Sequence, residues 1–210
     1  MSTRTLPDQL LQRPDIWVGS RLAAVAAETT GHPALDRLLP GGGWPRGALS
    51  EVLVPRAGVG ELQLILPLLA RLSQAGRRIA FVAPPHVPYA PALLAAGVDL
   101  QHCWVVEPQS ETDCIWAIEQ SLRCPGVGAV AGWLAVADER VQRRLQLAAE
   151  NNGDGGGAIG LLMRPPQARR QPSVAALRLA IAPGADGPVV EVLKARGGRV
   201  GQSARLAAAP

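Results

Sequence analysis

The residues that could do chemistry cluster first in a short loop. Ala48–Val54 (ALSEVLV) has the look of a buried strand, and Pro55-Arg-Ala-Gly-Val-Gly-Glu-Leu62 follows it into a leucine-rich stretch with helical spacing. Strand, glycine loop and helix N-terminus in that order make an anion cradle, because free backbone N–H groups converge where the helix dipole favours negative charge. The phosphate-binding version of this loop reads G-x-x-x-x-G-K-[ST]. Here Gly58 and Gly60 supply the flexible backbone, but Glu61 stands where the lysine should neutralise phosphate. Leu62 stands where a hydroxyl should hold Mg²⁺. A carboxylate within a few Å of a triphosphate, partly desolvated, costs on the order of several kcal/mol. Lys194 is the only lysine in the chain and lies far along it. The loop is therefore expected to be degenerate, with Glu61 complementing the helix dipole and no nucleotide cofactor bound.

Two sets of arginines are the next candidates. Arg164, Arg169 and Arg170 fall in a Pro-rich loop after an apolar strand. They suit weak, salt-sensitive contact with single-stranded DNA, although the loop lacks the aromatic platforms that usually accompany such contact. Arg140, Arg143 and Arg144, at i, i+3 and i+4, share a helix face that serves either as a solvated ridge or as a partner surface. Trp44 and Tyr89, each in a turn or loop, are candidate interface anchors. His102 beside Cys103 fits no common metal spacing, so no metal is expected.

These residues need a scaffold, and the chain alternates strand and helix patterns. Expected strands are Ala48–Val54, Arg78–Ala83, Cys103–Val106, Gly128–Leu134, Ala158–Met163, Leu177–Ala182 and Val189–Lys194. Expected helices are Glu61–Ala75, Ala92–Ala96, Thr112–Arg123 and Asp138–Glu150, with Gly76 and Gly97 as stops and Asp138 as a cap. The pattern predicts an α/β fold: a mainly parallel sheet with helices on both faces and an antiparallel C-terminal hairpin around Pro183–Pro188. Residues 1–30 are expected to be a leader with a short helix over Ile16–Glu28, residues 31–194 the core domain, and residues 195–210 a flexible basic tail.

Composition bounds the function. The 210 residues carry a net charge of +4, almost all of the basic side arginine. That is compatible with nucleic acid or an acidic protein surface and dictates neither. No stretch is long and apolar enough to span a bilayer, and Met1–Asp8 lacks the apolar region of a signal peptide. Three cysteines without a CxxC pair read as reduced thiols, so a cytoplasmic protein is expected.

Against this background the chain resembles the RecA family over about residues 30–163. The resemblance rests on Thr30-Gly31, Leu35-Asp36, Gly42-Gly43-Trp44-Pro45-Arg46-Gly47 and Glu51, then Phe81-Val-Ala-Pro-Pro-His-Val-Pro-Tyr89-Ala90 and Ala96-Gly97-Val98-Asp99. It implies a RecA-like core and also marks losses: Pro85 stands where RecA carries a catalytic glutamate, and Gly132-Trp133 where a metal-supporting aspartate belongs. With Glu61 and Leu62, these departures imply no ATP hydrolysis. The chain is more closely similar to the ImuA branch, also described as SulA-like, through Leu39-Pro-Gly-Gly-Gly-Trp-Pro-Arg-Gly47, Val82-Ala-Pro-Pro-His-Val-Pro-Tyr-Ala-Pro-Ala-Leu93 and Ala168-Arg-Arg-Gln-Pro-Ser173. That resemblance implies a non-catalytic role in SOS-induced translesion DNA synthesis, with nucleoid association upon damage. The implied partners are an inactive Y-family-like polymerase, ImuB, together with a DnaE-type error-prone polymerase and RecA. The alternatives are a SulA-like division inhibitor that binds an FtsZ-type protein and a weak DNA-dependent ATPase.

Overall fold

A computed structural model describes residues 26–153 and 156–207. The expected helix over Ile16–Glu28 lies mostly outside these residues. Its last part, Ala27–Glu28, is instead a short strand (β1) pairing antiparallel with Trp44–Pro45 (β2).

An eight-stranded sheet follows. Its strands are β3 (Ala48–Leu53), β4 (Arg78–Val82), β5 (Cys103–Val106), β6 (Val127–Trp133), β7 (Ile159–Arg164), β8 (Leu177–Ala182), β9 (Val189–Ala195) and β10 (Ser203–Arg205). The spatial order is β10-β9-β8-β3-β7-β6-β4-β5. From β8 to β5 all neighbours are parallel, while β9 and β10 are antiparallel additions. The tail expected to fray from Ala195 thus continues the sheet: β10 pairs with β9, and Leu206 is buried.

The helices are α1 (Pro33–Asp36), α2 (Glu61–Gln74), α3 (Ala90–Ala95), α4 (Glu111–Arg123) and α5 (Glu139–Glu150). Strand alternation divides them between the two faces. In β4, Ile79 and Phe81 join the core built on Leu64, Leu68 and Leu69 of α2, whereas Ala80 and Val82 join the core built on Ile118 of α4 and Leu145 of α5. Ser110 and Asp138 cap α4 and α5 through the amides of Asp113 and Val141.

Helix α2 contains Pro67, which cannot donate to the Gln63 carbonyl. His32 meets that orphan instead, its Nε2 lying 3.2 Å from the Gln63 oxygen. Since a carbonyl only accepts, Nε2 carries the proton. The chain crosses Pro67 at Gly31, where an added Cβ would come within 2.3 Å of the proline ring.

Candidate functional site

The loop after β3 keeps the cradle's shape. Gly58 (φ +80°) and Gly60 (φ +113°) adopt left-handed conformations that turn the chain into α2. Glu61 then fills the cradle from within. Its Oε1 accepts the Gly58 N–H at 2.8 Å and its Oε2 accepts the Gly60 N–H at 3.2 Å, and the residue is buried. The carboxylate occupies the position of an anionic ligand on a helix N-terminus. Leu62, at the metal-hydroxyl position, packs against the core. Pro188, from the β8–β9 turn, covers the loop so closely that a Cβ on Gly60 would stand 2.4 Å from its ring.

The other two positions that the RecA resemblance singles out lie in β6 and in the loop after β4. Gly132, near the end of β6, is overlaid by α4; a Cβ there would stand 2.5 Å from Ile118, leaving no room for an aspartate. Pro85 belongs to the loop Pro84–Tyr89, which lines a cleft of about 330 Å³ together with Gly58, Glu61 and Trp133. Ala83 opens that loop with φ +52°, an uncommon conformation for a residue with a side chain. Tyr89 stands 72% exposed above it.

The loop after β7 is different from the expectation. Arg164 was to lie on a DNA-facing surface, but it is the last residue of β7 and is fully buried. Its parity with Leu162 turns it into the sheet, where Nη1 meets Glu51 Oε1 at 2.7 Å. Arg178 of β8 flanks Glu51 from the other side, its Nε 2.8 Å from Oε2, at ion-pair distance without hydrogen-bond alignment. The two guanidiniums then hold the connecting segment: Arg164 Nη2 donates to Gln171 Oε1 at 2.9 Å, and Arg178 Nη1 to the Gln171 carbonyl at 3.0 Å. Gln142 of α5 accepts the Val174 amide, and Lys194 donates to the Ser173 carbonyl. Burial and the neighbouring Arg196 and Arg178 lower the Lys194 pKa. The segment is a fastened crossover between parallel strands. Arg169 and Arg170 remain exposed on it, Arg169 bidentate to Glu191 of β9.

The remaining candidates separate. Trp44 is fully buried in the core that α2 also joins and so cannot anchor a partner, because β2 draws it inward. Arg143 pairs with Glu139, and Arg144 with Glu119, which also holds Arg123; Arg140 is exposed. The arginine ridge on α5 is thus largely neutralised. Sequence reasoning missed Glu51. An acid at the centre of an apolar strand demands a buried cation, and that signal was present in ALSEVLV. Cys103 and Cys114 are thiols whose pKa burial raises, and His102 bonds Asp99 at 2.9 Å. Among the described residues, no helix is long and apolar enough to cross a membrane.

Fold and site together define an α/β protein with a mainly parallel sheet, whose loop after β3 is filled by its own carboxylate. Residues 47–158 match the family model described as cell division inhibitor SulA. Over 150 residues the chain is 31% identical to the cell division inhibitor SulA of Edwardsiella piscicida, covering 66% of this chain and 84% of that protein. The chain belongs to the SulA family. It is also 32% identical over 106 residues to RecA of Rubrobacter xylanophilus, covering half of this chain but only 30% of that one. Crystallographic SulA from Pseudomonas aeruginosa aligns with a TM-score of 0.45 at 23% identity, covering 55% of this chain and 97% of that one.

Proposed function

We propose that this chain is a non-catalytic accessory protein of the DNA-damage response that works by binding other proteins. The observation that supports this most directly is Glu61, which satisfies the Gly58 and Gly60 amides that a phosphate would otherwise bind. A nucleotide would have to displace a buried carboxylate and would find neither lysine nor metal ligand in its place. Within the damage response we assign the chain to the translesion branch, on the motifs Leu39–Gly47 and Val82–Leu93. There it would assemble with an inactive Y-family-like polymerase (ImuB), a DnaE-type polymerase and RecA, in the cytoplasm and at damaged nucleoids. A second reading is favoured by the 31% identity to a division inhibitor: the chain would bind a tubulin-like division protein.

Two experiments test these readings. Phosphate release from Mg²⁺-ATP, with and without single-stranded DNA, should stay at background; turnover that disappears in a Glu61→Ala variant would overturn the non-catalytic reading. Co-purification from damaged cells should recover the Y-family-like protein, whereas recovery of the tubulin-like protein alone would establish the second reading.

A further inference from the structure

The cleft beside Glu61 does not stand alone. It shares Ala57, Pro85 and Trp133 with a second cleft of about 320 Å³, and a third of about 400 Å³ adjoins the second at Trp133, Leu134 and Ala135. The second and third form a groove over the carboxyl ends of β3, β7, β6, β4 and β5, which lie side by side in that order. Four strand spacings of about 4.8 Å make it about 19 Å long. The cleft beside Glu61 branches from its middle.

The groove is apolar at the centre and charged at the ends. Trp133, half-buried where the three clefts meet, stacks on Phe81 with ring centroids 6.3 Å apart, which fixes its ring. Pro84, Pro85 and Pro88 stiffen the wall of the branch, and Tyr89 stands exposed on its rim. Arg56, at the β3 end, is exposed and has no ion pair among the described residues. Glu107 and Glu111, at the β5 end, are exposed and likewise have none.

We propose that this groove binds an extended segment of a partner protein, with an acidic residue at the Arg56 end, a basic residue at the Glu107–Glu111 end, and a large apolar residue between them that enters the branch beside Glu61. The proposal rests on the reading that the chain works by binding other proteins. An extended chain rises about 3.3 Å per residue, so about six residues fill the groove. The charges at its two ends differ in sign, so they orient the segment as well as attract it. The apolar residue meets Trp133, Tyr89 and the proline wall, which are already in place and lose little freedom on contact. A nucleic acid fits poorly, because one free arginine faces two carboxylates along the path its phosphates would take.

Selection of random linear peptides displayed on phage, with the full wild-type chain as bait, tests the proposal. The enriched peptides are expected to carry an acid and a base on opposite sides of a large apolar residue, within about six positions. In fluorescence anisotropy with a synthetic copy of one of them, Tyr89→Asp and Val136→Asp should each raise the dissociation constant at least about tenfold while circular dichroism stays native. Trp116→Asp, an exposed residue of α4 that lines none of the three clefts, should leave it unchanged. Arg56→Glu should weaken the selected peptide and should bind better than wild type a version whose acid is replaced by lysine. No enriched pattern, binding indifferent to both rim variants, no exchange of preference in Arg56→Glu, or displacement of the peptide by a poly-dT oligonucleotide would overturn the proposal. Because the selection needs neither nucleotide nor polymerase, it is independent of the two experiments above. A groove that selects nothing while co-purification still recovers a partner overturns the groove and leaves the accessory reading in place.

Discussion

The loops after β3 and β7 both leave the carboxyl end of the sheet, and both are closed by a glutamate from within the protein. In the first, Glu61 accepts amides that are otherwise open to solvent, since Gly58 is exposed. In the second, Glu51 accepts a hydrogen bond from Arg164 and forms an ion pair with Arg178 in a dry interior. The same type of residue therefore does unequal work. Breaking the first contact frees groups that water can reach, but breaking the second strands charges that water cannot. A ligand-type geometry can persist as a scaffold at either place; only the buried one is expected to be indispensable.

The comparison can be broken most severely at Arg164. Arg164→Ala leaves Glu51 and the Gln171 segment without their main cation and should cost about 3–5 kcal/mol in urea unfolding. Gly60→Ala comes next: it forces a side chain into a left-handed backbone against Pro188, and a loss of about 2–4 kcal/mol is expected by the same measurement. Glu61→Ala should cost only about 1–2 kcal/mol, because the freed amides are hydrated. It should also open the cradle, so that inorganic phosphate raises the melting temperature of the variant and not of the wild type; equal shifts would show that Glu61 is not the occupant. Arg169→Ala with Arg170→Ala should change stability by less than about 1 kcal/mol, as expected for exposed charges. A large loss there would erase the distinction between the fastened and the exposed arginines of one segment.

Much of the fold could be read before any coordinates, because β3, β4, β6 and β7 are short apolar runs bounded by glycines, and α4 and α5 have capped, periodic helices. The β9–β10 pairing could not, since Ser203-Ala-Arg205 has no strand signature of its own and is recruited by the neighbouring strand. At the site, the missing lysine and hydroxyl were legible one residue at a time. What Glu61 does in their absence was not, because a side chain bonding backward to its own loop depends on two glycine torsions. Arg164 was misplaced for a related reason. Its partner lies 113 residues earlier, and no local pattern distinguishes an arginine that ends a strand from one that begins a loop. Trp44 looked exposed because Gly and Pro surround it, but a two-residue pairing with β1 turns it inward.

The position of β3 carries a consequence for how the chain reaches this structure. It is the first strand of the large sheet to be synthesised, yet its two neighbours are β7 and β8, so Ala48 waits for Ile159 and Ser50 for Leu177. Until then an apolar strand with an unpaired glutamate has no place in the sheet. Such long-range closure slows folding and exposes the unfinished chain to aggregation during synthesis. The central strand would then be completed late, its carboxylate admitting β7 and β8 through their arginines, and the yield of folded protein would depend on how quickly the last quarter of the chain arrives.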